Sequence, residues 1–87
     1  MRPIDEISRE VIGEAIRIHK ELGPGLLESV YETVLEAALL RKGMLVARQV
    51  PIDIDYDGMH FAQAFRSDLL VEERLILEIK SVEKMGK

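Results

Sequence analysis

Two oppositely charged residues in the second half of the chain stand two positions apart in an otherwise apolar segment. Residues 75–82 form a very apolar predicted strand that carries Glu78 and Lys80 two positions apart. Because residues two apart on a strand point to the same face, these two charges share one face of the sheet. Ionised groups in such a core-like strand are costly unless they are paired or functional, so both are candidates for chemistry.

Asp68 lies on the preceding predicted strand and joins these charges if the register is right. A three-residue connection at 72–74 places Asp68 directly opposite Glu78 and places Arg66 opposite Lys80. A two-residue connection would turn Asp68 to the other face. The connection begins Glu-Glu and lacks the Gly or Asn that a two-residue primed turn prefers. The longer connection is therefore predicted, and with it a shared face for these charges.

This set of charges has two interpretations. Two carboxylates directly opposite each other on a sheet repel, and a divalent cation would remove that repulsion. Lys80 beside them could hold or polarise a water molecule or a phosphate oxygen. Alternatively, Asp68, Glu78, Lys80 and Arg66 form ordinary cross-strand ion pairs on a solvated face, where such pairs contribute little to stability.

A second motif, Gly25, Glu28 and Tyr31, stands at the start of a predicted helix. Glu28 in the first turn suits the helix dipole and could cap backbone donors, or could extend an acidic metal site if the helix start lies over the strand ends. Tyr31 is typical of a core aromatic whose hydroxyl reaches an edge. His19 is expected to be partly buried and His60 exposed, and neither receives a catalytic role. The chain contains no glycine-rich phosphate loop and no serine-nucleophile elbow.

The elements that must position these residues follow from the spacing of the apolar residues. Apolar residues at steps of three and four predict helices over residues 5–22 and 26–42. Asp5 is the predicted N-cap of the first helix, and Gly23 suits the left-handed position after its last turn. Gly25 is the predicted N-cap of the second helix, which makes Glu28 its third residue.

From residue 45 onward the period changes to that of strands. Three strands are predicted over residues 46–56, 59–71 and 75–82, with Asp57-Gly58 as the turn between the first two. The order helix, helix, strand, strand, strand predicts an α+β fold in which helices cover an antiparallel three-stranded meander.

Composition narrows the classes of protein. The 87 residues make one domain at most, and the absence of Cys excludes a disulfide framework, an iron–sulfur site and a Cys-based zinc site. Twelve basic and 16 acidic residues give a net charge of −4, so any contact with nucleic acid must come from a local patch. No apolar run is long enough for a membrane span, and the N-terminus turns acidic too soon for a signal peptide, so a cytoplasmic setting is expected.

The sequence resembles the GxxExxY protein family, whose pattern Gly25, Glu28 and Tyr31 match. The similarity covers nearly the whole chain in the right order and includes residues 19–32, 49–51, 65–72 and 76–83. That family is placed in the PD-(D/E)XK nuclease-like superfamily, which has an α/β restriction-endonuclease-like core. The core of the superfamily runs helix, three strands, helix, strand, and this resembles the order predicted above.

The resemblance implies a role for each residue of the motifs. Asp68 and Glu78 would be the acidic metal ligands, with the Ile79 carbonyl as a further ligand. Lys80 would position the attacking water, and Glu28 would be an auxiliary acid on the helix. The implied activity is hydrolysis of phosphodiester bonds in DNA or RNA with Mg²⁺ (or Mn²⁺) as the cofactor.

The family pattern continues with a second core helix and a fourth strand, whereas this chain stops at Lys87. A single domain over residues 1–87 that lacks those two elements is therefore expected. Its third strand would expose an apolar edge that favours pairing with another copy of the chain. This leaves two alternatives to a nuclease, a non-catalytic module that self-associates through that edge and a truncated, inactive fragment.

Overall fold

Two helices precede a three-stranded antiparallel sheet in the computed structural model, which describes residues 2–80. The elements are, in chain order, α1 (Ile4–Leu22), α2 (Glu28–Arg41), β1 (Val46–Tyr56), β2 (Met59–Val71) and β3 (Leu75–Leu77). In the sheet, β2 lies between β1 and β3. The predicted α+β class is confirmed, and β1 and β2 have the predicted bounds.

The first helix begins one residue earlier than predicted. Its N-cap is Pro3 and not Asp5, which lies inside the first turn. The extended backbone of Pro3 directs its carbonyl to the amides of Glu6 and Ile7, at 3.1 and 3.2 Å, and this opens the helix without a side-chain cap. Gly23 follows α1 with the positive φ that was predicted, 77°, but its ψ of 176° lies outside the left-handed helical region.

The second helix begins later than predicted. Its N-cap is Leu27 and not Gly25, so Glu28 is the first helical residue and not the third. The cause is Tyr31, whose hydroxyl accepts a hydrogen bond from the Leu26 amide at 3.4 Å and donates one to a carbonyl of the preceding loop. These contacts keep the loop residues out of the helix. Within residues 2–80, neither helix is long and apolar enough to span a membrane.

The core lies between the two helices and one face of the sheet. Its buried apolar residues are Ile7, Val11, Ile18, Leu35, Ala38, Leu39, Met44, Leu69 and Val71. The apolar residues of α1 cover a wider stripe than the face that packs against the core. Ile12 and Ile16, at the border of that stripe, are 57% and 52% exposed. The sheet contributes Leu69 and Val71 to this core, both at the end of β2 and close to Asp68.

An ion-pair network connects α1 to the C-terminal end of α2. Glu14 accepts a hydrogen bond from Arg17 at 2.7 Å and lies 3.5 Å from the Lys42 ammonium. The hydrogen bond from Arg17 lowers the pKa of Glu14 below its ordinary value. Exposed pairs of this kind orient the helices more than they stabilise them.

Two turns set the register of the sheet. Asp57-Gly58, both at positive φ, joins β1 to β2 as a two-residue turn, as predicted. The connection 72–74 has three residues, as predicted, and pairs Val71 with Leu75. The reason for that prediction was wrong, because Glu72 and Glu73 both adopt positive φ, 55° and 57°, which is the sign pattern of a primed turn.

β3 is shorter than predicted. It covers Leu75–Leu77 and not residues 75–82, and its last pair is Leu77 with Leu69. Beyond that pair the Ile79 amide donates to the side chain of Asp68. Residues 81 and 82 lie outside the described residues. The other edge of β3 has no strand partner among residues 2–80.

β1 and β2 extend past the helices as a two-stranded ribbon, in which residues 53–66 are all exposed. The register shifts between Ile52 and Ile54, where the Gln63 amide donates to Asp53 at 2.8 Å. His60 near the tip is exposed, as predicted, and its Nδ1 lies 2.6 Å from Asp55.

Candidate active site

Asp68 stands near the end of β2, where the sheet passes from the exposed ribbon to the core. It is half-buried, between the fully buried residues Ser67 and Leu69. Its Oδ2 accepts a hydrogen bond from the Ile79 amide at 2.6 Å. This contact brings the acidic residue of β2 together with the chain segment that follows β3.

Glu78 and Lys80 lie in that segment, one residue to each side of Ile79. The β2–β3 ladder ends at the pair Leu69 and Leu77, one position short of Asp68 and Glu78, so the predicted pairing of Asp68 with Glu78 stays a prediction. The two charged residues are exposed, whereas Ile79 is half-buried and packs against the core. This alternation of exposure is the one expected from the sequence for residues 78–80.

A buried carboxylate on α2, in contact with β1, has no counterpart in the sequence predictions. Glu32 on α2 is 6% exposed and accepts hydrogen bonds from Arg48 Nε at 3.1 Å and from Gln49 Nε2 at 3.1 and 3.3 Å. Gln49 has φ of 53°, and its pair with Asp68 is absent from the β1–β2 ladder. The sequence signal was the similarity of residues 49–51 to a family pattern, to which no role was attached.

One residue of the Gly25, Glu28, Tyr31 motif, the tyrosine, stabilises the loop between the two helices. The Tyr31 hydroxyl donates a hydrogen bond to the Gly23 carbonyl and accepts one from the Leu26 amide, and its ring packs against the core. This matches the expected core aromatic with an edge contact. Gly25 lies in the same loop at φ of 97°, which favours glycine. Glu28 is exposed at the first position of α2.

A cavity of about 230 Å³ opens between the helices and the segment after β3. The residues that line it are Ala15, Ile18, His19, Tyr31, Leu35, Glu78, Ile79 and Lys80. His19 is exposed, which corrects the expectation of partial burial, and it lies in the last turn of α1. Its ring centroid lies 6.3 Å from that of Tyr31. The cavity therefore brings His19 beside three predicted site residues, Glu78, Ile79 and Lys80.

Comparison with known proteins decides the family. The family model of the PD-(D/E)XK nuclease superfamily matches residues 5–87 of the chain. The chain belongs to this superfamily. No curated protein and no solved structure matches it. The order of helices and strands, with Asp68 on β2 and Glu78 just beyond β3, agrees with a PD-(D/E)XK-like core.

PD-(D/E)XK nucleases generally use divalent metal ions. The predicted donors suit such an ion, because the carboxylates of Asp68 and Glu78 and the Ile79 carbonyl are the oxygen ligands that Mg²⁺ prefers. The Oδ1 atom of Asp68 accepts no hydrogen bond from the described residues. Within residues 2–80, no cluster of three or more His, Asp or Glu side chains is placed to hold a metal ion. The predicted ligand set has only two carboxylates, Asp68 and Glu78, with the Ile79 carbonyl as the third ligand, and it stays a prediction. The auxiliary role of Glu28 also stays a prediction.

Proposed function

We propose that this chain hydrolyses phosphodiester bonds of nucleic acid, DNA or RNA, with Mg²⁺ or Mn²⁺ as the cofactor. The observation that carries the proposal is the Asp68–Ile79 hydrogen bond, which holds the acidic residue of β2 against residues 78–80. Membership of the PD-(D/E)XK nuclease superfamily supports it. The similarity to the GxxExxY family, through Gly25, Glu28 and Tyr31, supports the same activity.

Each residue of the proposed site has a separate task. Asp68 and Glu78, with the Ile79 carbonyl, would hold the metal ion, and Lys80 would position the attacking water by donating a hydrogen bond to it. Glu28 would act as the auxiliary acid from the start of α2. When bound, the metal would offset the charge on the phosphate and lower the pKa of the nucleophilic water. The protein would place these oxygens from β2, which carries Asp68, and from the segment that directly follows β3.

The test is cleavage of end-labelled oligonucleotides by the full chain. Single- and double-stranded DNA and RNA are each incubated with Mg²⁺, with Mn²⁺ and with EDTA. Cleavage is expected with either metal and not with EDTA. Asp68→Asn and Glu78→Gln should reduce the rate by at least about 100-fold, since each removes a metal-binding charge and keeps the shape of the side chain.

Asp55→Asn is the matched control, because Asp55 is an exposed strand aspartate at the far end of the ribbon. It should cleave like the unaltered protein. Equal background cleavage by all four proteins, or cleavage that persists in EDTA, would rule out the proposed activity.

A second candidate function is a non-catalytic module that self-associates. The observation that favours it is the free edge of β3 within residues 2–80, where Ile76 is 41% exposed. Exposed apolar strand edges pair with other chains. This function predicts a dimer in light scattering and weaker association of Ile76→Lys, with no specific Mn²⁺ binding. Mn²⁺ binding that is lost in Glu78→Gln would contradict it.

A further inference from the structure

Gln49 occupies a strained position directly across the sheet from Asp68. The β1–β2 pairs on either side place these two residues opposite each other, yet this pair is missing from the ladder. Gln49 has φ of 53°, in the left-handed region, in the middle of a strand. A side chain other than glycine adopts this conformation at a cost of about 1–2 kcal/mol. Another interaction must therefore hold Gln49 there.

That interaction is with Glu32 on α2. The Gln49 amide nitrogen donates to both carboxylate oxygens of Glu32, at 3.1 and 3.3 Å. Glu32 is 6% exposed and also pairs with Arg48 at 3.1 Å. A buried carboxylate must keep its donors, because an unpaired buried charge is costly. The hydrogen bonds to Glu32 therefore offset the cost of the left-handed conformation at Gln49.

The alternative conformation of Gln49 would affect Asp68 directly. In a regular strand Gln49 would lie on the face of Asp68, with their Cβ atoms about 5 Å apart. The amide of Gln49 could then donate to the Asp68 carboxylate and compete with a cation for it. In the structure the Gln49 side chain is turned to α2 instead. A backbone irregularity of this kind next to an active site commonly redirects a side chain.

We propose that Glu32 and Gln49 are positioning residues that keep the space opposite the Asp68 carboxylate open for the metal ion. The Glu32–Gln49 contact holds the Gln49 side chain away from Asp68, and the strain at residue 49 is the consequence. This inference rests on the proposed function, in which Asp68 is a metal ligand. It assigns a role to Gln49, the first residue of the segment 49–51 that the sequence distinguished without explaining.

The experiment is a titration of the full chain with Mn²⁺ alone, so its readout does not depend on cleavage. Two substitutions at the exposed position 49 give opposite expectations. Gln49→Gly keeps the left-handed conformation and removes the side chain, so the Mn²⁺ affinity should be retained. Gln49→Val cannot adopt positive φ without severe strain and places a side chain opposite Asp68, so the affinity should fall about 10- to 100-fold.

Glu32 is tested by rescue. Glu32→Ala releases Gln49 and should weaken Mn²⁺ binding by a similar factor, whereas the double variant Glu32→Ala/Gln49→Gly should regain most of the affinity. Glu36→Ala is the matched control, because Glu36 also pairs with Arg48, at 3.3 Å, without contacting Gln49. A residue that only stabilised the fold would not be rescued by deleting a second side chain. If Glu32→Ala fails to fold, the two variants at position 49 still decide the matter.

The outcomes separate this inference from the proposed function. Equal Mn²⁺ affinity in Gln49→Gly and Gln49→Val overturns the role of residue 49 and leaves the nuclease proposal standing. Absence of rescue in the double variant overturns the role of Glu32. If the unaltered chain binds no Mn²⁺, the metal-dependent function fails, and the positioning role fails with it.

Discussion

The side chain of Asp68 and the backbone of Ile79 are joined by a hydrogen bond of 2.6 Å between Oδ2 and the amide N–H. The bond lies just past the last backbone pair of β2 and β3. It uses one carboxylate oxygen of Asp68 to fix the chain that carries Glu78 and Lys80. One residue therefore contributes both to the end of the sheet and to the proposed chemistry, and the two contributions can be separated by substitution.

Asp68→Ala should lower the free energy of unfolding by about 1–2 kcal/mol, because the Ile79 amide loses its acceptor. Asp68→Asn keeps an oxygen in the same place and should cost less than about 1 kcal/mol. Both should abolish metal-dependent cleavage, since both remove the charge. Urea unfolding at pH 7 measures the difference between the two variants. Equal stability of the two would show that the hydrogen bond does not hold the segment.

Local rules were sufficient to predict β1, β2 and the turn between them. Asp57-Gly58 defines this turn, and the alternation of apolar residues defines the strands around it. The three-residue connection at 72–74 was predicted for a reason that the structure contradicts, since Glu72 and Glu73 adopt positive φ despite their side chains. The length of the connection was nevertheless predicted correctly, and it sets the register of the pairs from Val71 with Leu75 to Leu69 with Leu77.

The remainder of the site depends on contacts between elements, which spacing does not encode. The contact of Glu32 with Gln49 joins residues 17 positions apart on a helix and a strand. β3 ends at Leu77, and just beyond it the side chain of Asp68 accepts a hydrogen bond from the Ile79 amide. No local pattern in the sequence predicts that contact. His19 enters the cavity wall through the packing of α1 on α2. The candidate ligands were therefore predicted from the sequence, whereas the roles of Glu32, Gln49 and His19 around them were not.

Tyr31→Phe should lower the free energy of unfolding by about 1 kcal/mol, because the loop between α1 and α2 loses the hydroxyl that binds the Gly23 carbonyl and the Leu26 amide. Thermal or urea unfolding measures this loss. Tyr56→Phe is the control, since Tyr56 is 70% exposed at the ribbon tip, and it should change stability by less than about 0.5 kcal/mol. Equal effects of the two changes would contradict a structural role for the tyrosine of the motif.

Glu73→Gly should raise the free energy of unfolding by about 0.5–1 kcal/mol. Glu73 has φ of 57°, and glycine adopts this conformation without the steric cost of a Cβ atom. Part of the gain is offset because glycine loses more entropy on folding. Glu73→Ala removes the same charge and keeps the Cβ atom, so it should give no such gain. If alanine stabilises as much as glycine, charge and not backbone strain is the cause.

Ser67→Ala should stabilise the protein by about 1 kcal/mol, because the Ser67 hydroxyl is buried and has no hydrogen-bond partner among residues 2–80. Removing the oxygen removes its desolvation cost, and the cavity left by one small atom is minor. Ser29→Ala is the control, since Ser29 is exposed, and it should change stability by less than about 0.5 kcal/mol. Chemical unfolding of the two variants gives the comparison. If Ser67→Ala instead lowers the free energy of unfolding by more than about 1 kcal/mol, the hydroxyl is hydrogen-bonded in solution and helps to hold the neighbouring Asp68 in place.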